Sequence, residues 1–214
     1  MAGFDVGAFR SAISARGILK TNKFRVVIPI PPGLVGDDST LIGRDLELYA
    51  SAASLPGVDM LTSDVRRHGY GPVEKRAFGV NFGDVPIRFI ADGEAEVWAF
   101  LQAWMNLTVP YDSSEGPVQS DVSVMTPHDV AYKDQYAVDL TIYIYDDYGN
   151  EAIIMNLLEA YPTHLEQVAL DWNDTNSMMY INSLFTFRDW NATTINATSK
   201  TISNVLTKLI KKLF

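Results

Sequence analysis

Cysteine is absent from all 214 residues. That excludes disulfide staples, thiolate nucleophiles and cysteine-ligated zinc together. Histidine is scarce: His68, His128 and His164 stand far apart, none with a neighbour at metal-ligand spacing. No run of eighteen apolar residues occurs, so neither a transmembrane helix nor a membrane anchor is expected. The opening residues, MAGFDVGAFRSAIS, carry an early acid and lack the apolar stretch of a signal peptide. The sequons at Asn106, Asn173, Asn191 and Asn196 are then accidents of composition. Phosphate-cradling loops, dinucleotide fingerprints and nucleophile elbows are missing too. No acid, base and nucleophile converge, so the expectation is a protein that is not an enzyme and uses no cofactor or metal.

Basic charge is also in short supply. Lys and Arg number 17 against 26 Asp and Glu, a net charge of −9. Four of the lysines, Lys200, Lys208, Lys211 and Lys212, fall in residues 200–214, where no acid occurs. The rest of the chain sets 13 bases against 26 acids, a net of −13. Such a body does not neutralise phosphates and so does not grip nucleic acid. It leaves open a surface that DNA passes without sticking.

What is present is an ordinary folding composition, 47% hydrophobic and 20% charged, in a chain long enough for one substantial domain. The stretch Tyr161–Trp190 stands out. A polar turn, Asn173-Asp174-Thr175-Asn176-Ser177, separates two apolar runs, with strands expected at Gln167–Trp172 and Met178–Arg188. The second is rich in aromatics and needs neighbours for its backbone and its face.

Elsewhere, Phe4–Ala15 reads as a short amphipathic helix stopped near Gly17. Strands are expected at Lys23–Ile30, closed by Pro31-Pro32-Gly33, and at Leu46–Ala53 and Val85–Ile90. Residues 33–45 form a Gly/Asp-rich loop. Asp92 can cap a helix over Glu94–Leu107. Its stripe of Val97, Trp98, Leu101, Trp104 and Met105 is read as core, stacking of the tryptophans on a ligand being the lesser alternative. Residues 108–133 are a polar loop. Val138–Asp146 alternates cleanly, turns at Asp147-Tyr148-Gly149-Asn150 and returns along Glu151–Leu158. The count predicts a mainly β (α+β) protein: an antiparallel sandwich or barrel with one packed central helix and helices at both ends.

Three patterns carry possible chemistry. Asp171-x-Asn173-x-Thr175-x-Ser177 has the rhythm of a calcium loop but lacks its glycine and closing glutamate, and a plain turn is preferred. Asp146-Asp147 is a magnesium candidate at a hairpin tip, where a solvated turn is the simpler reading. The third is the glycine-broken stretch 58–84, taken as a long loop, with Arg66, Arg67, His68, Tyr70, Lys75 and Arg76 clustered in it. A loop of this length implies binding. Asp64 and Glu74 interrupt the basic cluster, which favours carboxylates of a neighbouring subunit over nucleic acid.

The tail is separate. A domain over 1–190, with residues 1–20 as a helical arm, is followed by a polar linker at 191–200. Then comes a helix at 201–214 with Ile202, Val205, Leu206, Leu209, Ile210 and Leu213 on one face and lysines on the other. Docking on a partner is preferred to docking on its own domain, and a membrane surface ranks last.

The order of elements, with Asn22-Lys23-Phe24, Phe100–Trp104, Ala160-Tyr161-Pro162, Leu170-Asp171-Trp172-Asn173 and Phe185-x-Phe187, resembles the tail tube proteins of contractile-tailed bacteriophages and their baseplate tube-initiator relatives. The resemblance covers roughly residues 8–190. It implies a structural virion protein of the viral tail, assembled in the host cytoplasm. Its partners would be copies of itself, in hexameric rings stacked as a tube, and the sheath, baseplate or hub and tape-measure proteins. Strands of six copies would close one barrel, and DNA would pass non-specifically through the lumen during genome ejection. Six copies at −9 each total −54, a wall that repels phosphate. The resemblance also places the 58–84 loop against the next ring and makes the 138–158 hairpin a candidate for the lumen wall. An enlarged 31–45 loop and the basic tail depart from the simplest tube pattern. They keep open a first ring on the baseplate, and the tube of a phage-derived secretion system is a third alternative.

Overall fold

The computed structural model describes residues 18–34, 46–66, 71–111, 129–173 and 177–194, together with residues 5–7, 10, 11, 13, 69, 119, 120, 123, 124 and 175. The tail helix at 201–214 and most of the 31–45 loop lie outside the described residues. Residues 1–26, 141–156 and 190–214 form one compact unit, and residues 27–140 and 157–189 form a second. The structure is mainly β and antiparallel. Strand pairing runs β1 (Phe24–Val27), β8 (Val138–Tyr145), β9 (Glu151–Leu165), β10 (Tyr180–Thr186), β5 (Val85–Ile90) and β2 (Ala50–Ala53), with β11 (Asp189–Thr194) also bonded to β9, while the short β6 (Gln119–Ser120) and β7 (Ser123–Val124) pair with each other. The sheet is open, and no barrel closes, among the described residues.

In the first unit, residues 141–145 of β8 (Val138–Tyr145) and 151–156 of β9 (Glu151–Leu165) flank the expected turn. The Asp146 carboxylate holds that turn by accepting the Tyr148 and Asn150 amides at 2.8 and 2.9 Å, and Gly149 takes a φ of 84°. The alternation of β8 buries Ile142, while β1 (Phe24–Val27) buries Val26. The Tyr145 amide donates to the Lys23 carbonyl at 3.0 Å. Thr141, Asn156 and Asn191 form a side-chain chain of 2.9 and 3.1 Å across β8, β9 and β11 (Asp189–Thr194). Residues 191–194, expected as linker, are therefore strand.

The second unit is built around α1 (Glu96–Thr108), where Val97, Phe100, Leu101 and Trp104 are buried. These fall at i, i+3, i+4 and i+7, one helical face. Trp98 is 39% exposed, so the expected two-tryptophan stripe is corrected: Phe100 belongs to the core and Trp98 to its flank. Asp92 caps the helix by accepting the Glu96 and Val97 amides at 3.0 and 3.3 Å. Trp104 is fully buried, packs edge-on against Phe100 and Phe185, and donates its indole N–H to the Tyr136 carbonyl at 2.7 Å. Tyr136 ends a short helix, α2 (Lys133–Tyr136). Beneath α1, β5 (Val85–Ile90) and β10 (Tyr180–Thr186) bury alternate residues: Val85, Ile87 and Phe89 on one, Ile181, Ser183 and Phe185 on the other. Gly33 marks a close approach, because a Cβ there would meet Leu107 at 2.8 Å.

Three expected strands change. Leu46–Tyr49 is helical, with Leu46 buried, and only β2 (Ala50–Ala53) is extended. Gln167–Trp172 is loop. β9 runs on to Leu165 instead of stopping at Leu158, past Glu159 at φ 53°. Glu159 is held there by its amide on the Asp139 carboxylate at 3.0 Å and by Lys133 and Arg188 on its own carboxylate. Pro162 then lies beside the register shift opposite Leu184 and Phe185, where a missing N–H is tolerated. At the N-terminus, Val6, Gly7, Arg10, Ser11 and Ile13 are helical.

Candidate assembly surface

The 58–84 stretch, expected as an irregular loop, is a regular hairpin. β3 (Val58–Val65) and β4 (Glu74–Phe82) pair from Val58↔Phe82 to Val65↔Glu74. Phe78 is the extra residue where the register shifts between Leu61↔Gly79 and Thr62↔Ala77. Four of the five glycines bracket the ladder, and the fifth, Gly79, is paired within it beside the register shift. Gly57 and Gly83 lie outside it, and Gly69 and Gly71, at φ 77° and 93°, serve the turn. An eight-residue ladder reaches roughly 27 Å. Its base is tied down where the Phe82 ring meets Phe187, centroids 6.0 Å apart.

This arm is exposed along nearly its whole length, and much of what it exposes is apolar. Met60 is 70% exposed, Phe78 69% and Val80 53%, with Val58, Leu61 and Val73 also open. The Met60↔Val80 and Val58↔Phe82 pairs share one face, and Leu61 takes the other. A two-stranded ribbon bare on both faces has little stability of its own, and an apolar patch of this kind marks an interface. The cations expected to make the contact share this region with apolar residues that the sequence expectation leaves out. The available signal was the β-branched and apolar content of VDMLTSDV and AFGVNF.

Of the six candidate contact residues, Arg66, Lys75 and Arg76 are exposed near the outer end of the arm. Lys75 stands opposite Asp64, and Arg76 pairs with Glu74 at 3.3 Å on its own strand. Arg67, His68 and Tyr70 lie outside the described residues, as do Ile202, Val205, Leu206, Leu209, Ile210 and Leu213.

A second exposed element was not singled out as a contact. In the loop after β9, Leu170 is 84% exposed and Trp172 fully so. Asp171 accepts the Asn173 amide at 2.9 Å and its side-chain amide at 3.1 Å. The Asp171 carboxylate thus stabilises a turn rather than waiting for an ion. At the β8–β9 tip, the Asp147 carboxylate accepts hydrogen bonds from Lys20 at 2.9 Å and Lys23 at 3.0 Å. Those bonds hold its pKa below the ordinary aspartate value. Asp146 is also lowered, first by the Asn150 backbone N–H. Both magnesium candidates are therefore engaged with protein donors. Among the described residues, no group of three or more His, Asp or Glu is placed to hold a metal.

A groove over β2, β5 and β10 is lined by Ala52, Ile87 and Leu184, with Arg88, Asn182 and Glu166 at its rim. The rim residues bond to one another, Arg88 to Asn182 at 3.0 Å and Asn182 to Glu166 at 2.6 Å. Arg88 also lies over the Tyr180 ring. This is a structural polar ladder on a sheet face.

The family model described as phage tail tube protein matches residues 19–193. A chain of the extracellular contractile injection system PVC sheath–tube complex, in the extended state, is similar at a TM-score of 0.54 and 16% identity, covering 90% of this chain and 100% of that one. The anti-feeding prophage tube-terminating cap gives 0.53 and 16%, covering 86% and 99%. The PVC sheath/tube terminator gives 0.53 and 15%, covering 82% and 96%. At these identities the likeness is one of fold. No curated protein matches the chain.

Proposed function

Because the chain belongs to the phage tail tube protein family, a family of structural virion tail proteins and not of enzymes, we propose that it is the repeating subunit of a contractile tail tube. Six copies form a ring, and rings stack inside a sheath on a baseplate, around a tape measure that DNA later replaces. The observation that carries this reading is the β3–β4 arm. It is a roughly 27 Å ribbon with apolar residues bare on both faces, which a neighbouring copy would cover.

Open ends of the sheet at β1 and β2 and the acidic net charge agree with the same reading. Joining strands of six copies into a barrel would remove edges that otherwise invite aggregation. A net of −9 per copy would keep DNA sliding. Arg66, Arg67, His68, Tyr70, Lys75 and Arg76 then contact a neighbouring ring, and the β8–β9 hairpin lines the channel. The lysine-rich 201–214 segment docks through its apolar face on a partner protein.

Negative-stain microscopy of the purified protein tests the proposal. Rings and tubes with a six-fold end view are expected, and a monodisperse monomer at high concentration refutes the reading. A starting ring on the baseplate is the alternative kept from the sequence. It would give single rings that lengthen only after a different tube protein is added.

A further inference from the structure

We propose that the receptor for the β3–β4 arm is the Glu166–Asn173 loop of a second copy, with Trp172 as its anchor. The proposal rests on the tube reading and names the surface that covers the arm.

Trp172 is fully exposed and Leu170 nearly so, two large apolar side chains presented by one loop tip. The turn made by Asp171 and Asn173 fixes the corner from which they project. A fully bare tryptophan is uncommon on a monomer surface, and tryptophan is among the most enriched residues at the energetic centres of interfaces.

Charge decides what such a surface meets. The Glu166–Asn173 loop, EQVALDWN, holds two acids and no base, a net of −2. At the described outer end of the arm, Arg66, Lys75 and Arg76 stand with Asp64 and Glu74, three bases against two acids, a net of +1. Arm against arm would set +1 on +1, and loop against loop −2 on −2. Only arm against loop is complementary. The chemistry matches in detail as well. Arg66 and Arg76 can lie over the indole face, and Val73 and Phe78 are exposed to meet Leu170.

A contact between two different patches of one chain is heterologous, so each copy uses both its arm and its loop. Contacts of that kind close into rings or propagate along an axis, which is what a tube requires. A self-complementary contact would stop at a dimer.

The natural lack of cysteine makes a direct test possible. Lys75→Cys and Asn173→Cys are prepared as two separate proteins, mixed, assembled and oxidised. Disulfide-linked heterodimers, at about ten times the level of either homodimer, are expected. Homodimers in excess, or assembled particles with no cross-link, overturn the pairing. In parallel, Trp172→Ala should raise the critical concentration for assembly by roughly 30-fold, as loss of an interface centre does, while its far-UV circular dichroism stays that of the parent. Assembly at the parental concentration overturns the pairing and leaves the tube reading intact. Failure of the unmodified protein to assemble overturns both.

Discussion

The apolar arm sets a quantitative demand on assembly. Met60 and Phe78 are 70% and 69% exposed, so their own subunit covers less than a third of each. Full burial of a methionine or phenylalanine side chain is worth about 1.5–3 kcal/mol. Roughly two-thirds of that remains to be gained in a contact, about 1–2 kcal/mol per side chain. The double variant Met60→Ala/Phe78→Ala should therefore weaken each contact by about 2–4 kcal/mol. At 1.4 kcal/mol per factor of ten, the critical concentration for tube formation rises roughly 30- to 700-fold. Because both side chains are exposed and unsupported, monomer stability should change by less than about 0.5 kcal/mol. Light scattering against protein concentration reads the first quantity, and urea unfolding followed by circular dichroism reads the second. A critical concentration within about three-fold of the parent, in a protein that still folds, refutes the assignment of the arm as an assembly surface.

Further outcomes follow from the interior and from the ionised groups. Trp104→Phe removes the N–H bonded to the Tyr136 carbonyl and leaves that acceptor orphaned in a buried site. A loss of about 2–4 kcal/mol is expected in chemical unfolding, combining the unmet carbonyl with lost volume, and a loss below 1 kcal/mol would show that the bond contributes little. For Asp92, burial pushes the carboxyl pKa up, but backbone N–H bonds from Glu96 and Val97 outweigh it and the net pKa is lowered. Asp92→Ala should cost about 1 kcal/mol as a lost cap, and an unchanged melting temperature would contradict that. The Asp147 pKa is depressed by Lys20 and Lys23, so its contribution is complete above the unfolded value near 3.8 and is lost as pH falls through the lower folded value. Acid titration of the melting temperature should show this loss below about pH 4. Asp147→Asn should flatten the curve there, and an undiminished slope would exclude the lysine clamp as a source. At Glu159, φ 53° favours glycine, so Glu159→Gly should melt above Glu159→Ala, both having lost Lys133 and Arg188. The reverse order would show that the backbone there is not strained.

The sequence was most legible where one face of an element is buried. β8 and β5 alternate because their inward residues meet the core, and both stand where their periodicity placed them. Legibility failed where that contrast is missing. The β3–β4 arm is bare on both sides, so neither polarity nor apolarity alternates along it, and its flanking glycines read as breakers. The expected end of β9 at Leu158 falls short of Leu165, since the sequence does not show that Pro162 lies beside a register shift where a proline is tolerated in the strand. Trp98 and Trp104 both fit a broad helical stripe, and only the positions of Phe185 and Tyr136 decide which one is enclosed. The exposed Leu170 and Trp172 fall within an expected strand, since nothing local distinguishes an apolar pair left in solvent from one that faces its own core.

The bare arm also bears on timing. Two strands without cover hold their shape weakly, and a subunit meeting another free subunit must order both arms at once. In the tube proposed above, a subunit arriving at a finished ring would find one partner surface already in place, so starting a tube would be slower than lengthening one. The arm would make each copy a slow seed and a ready addition, so that purified protein would lengthen existing tubes in preference to starting new ones.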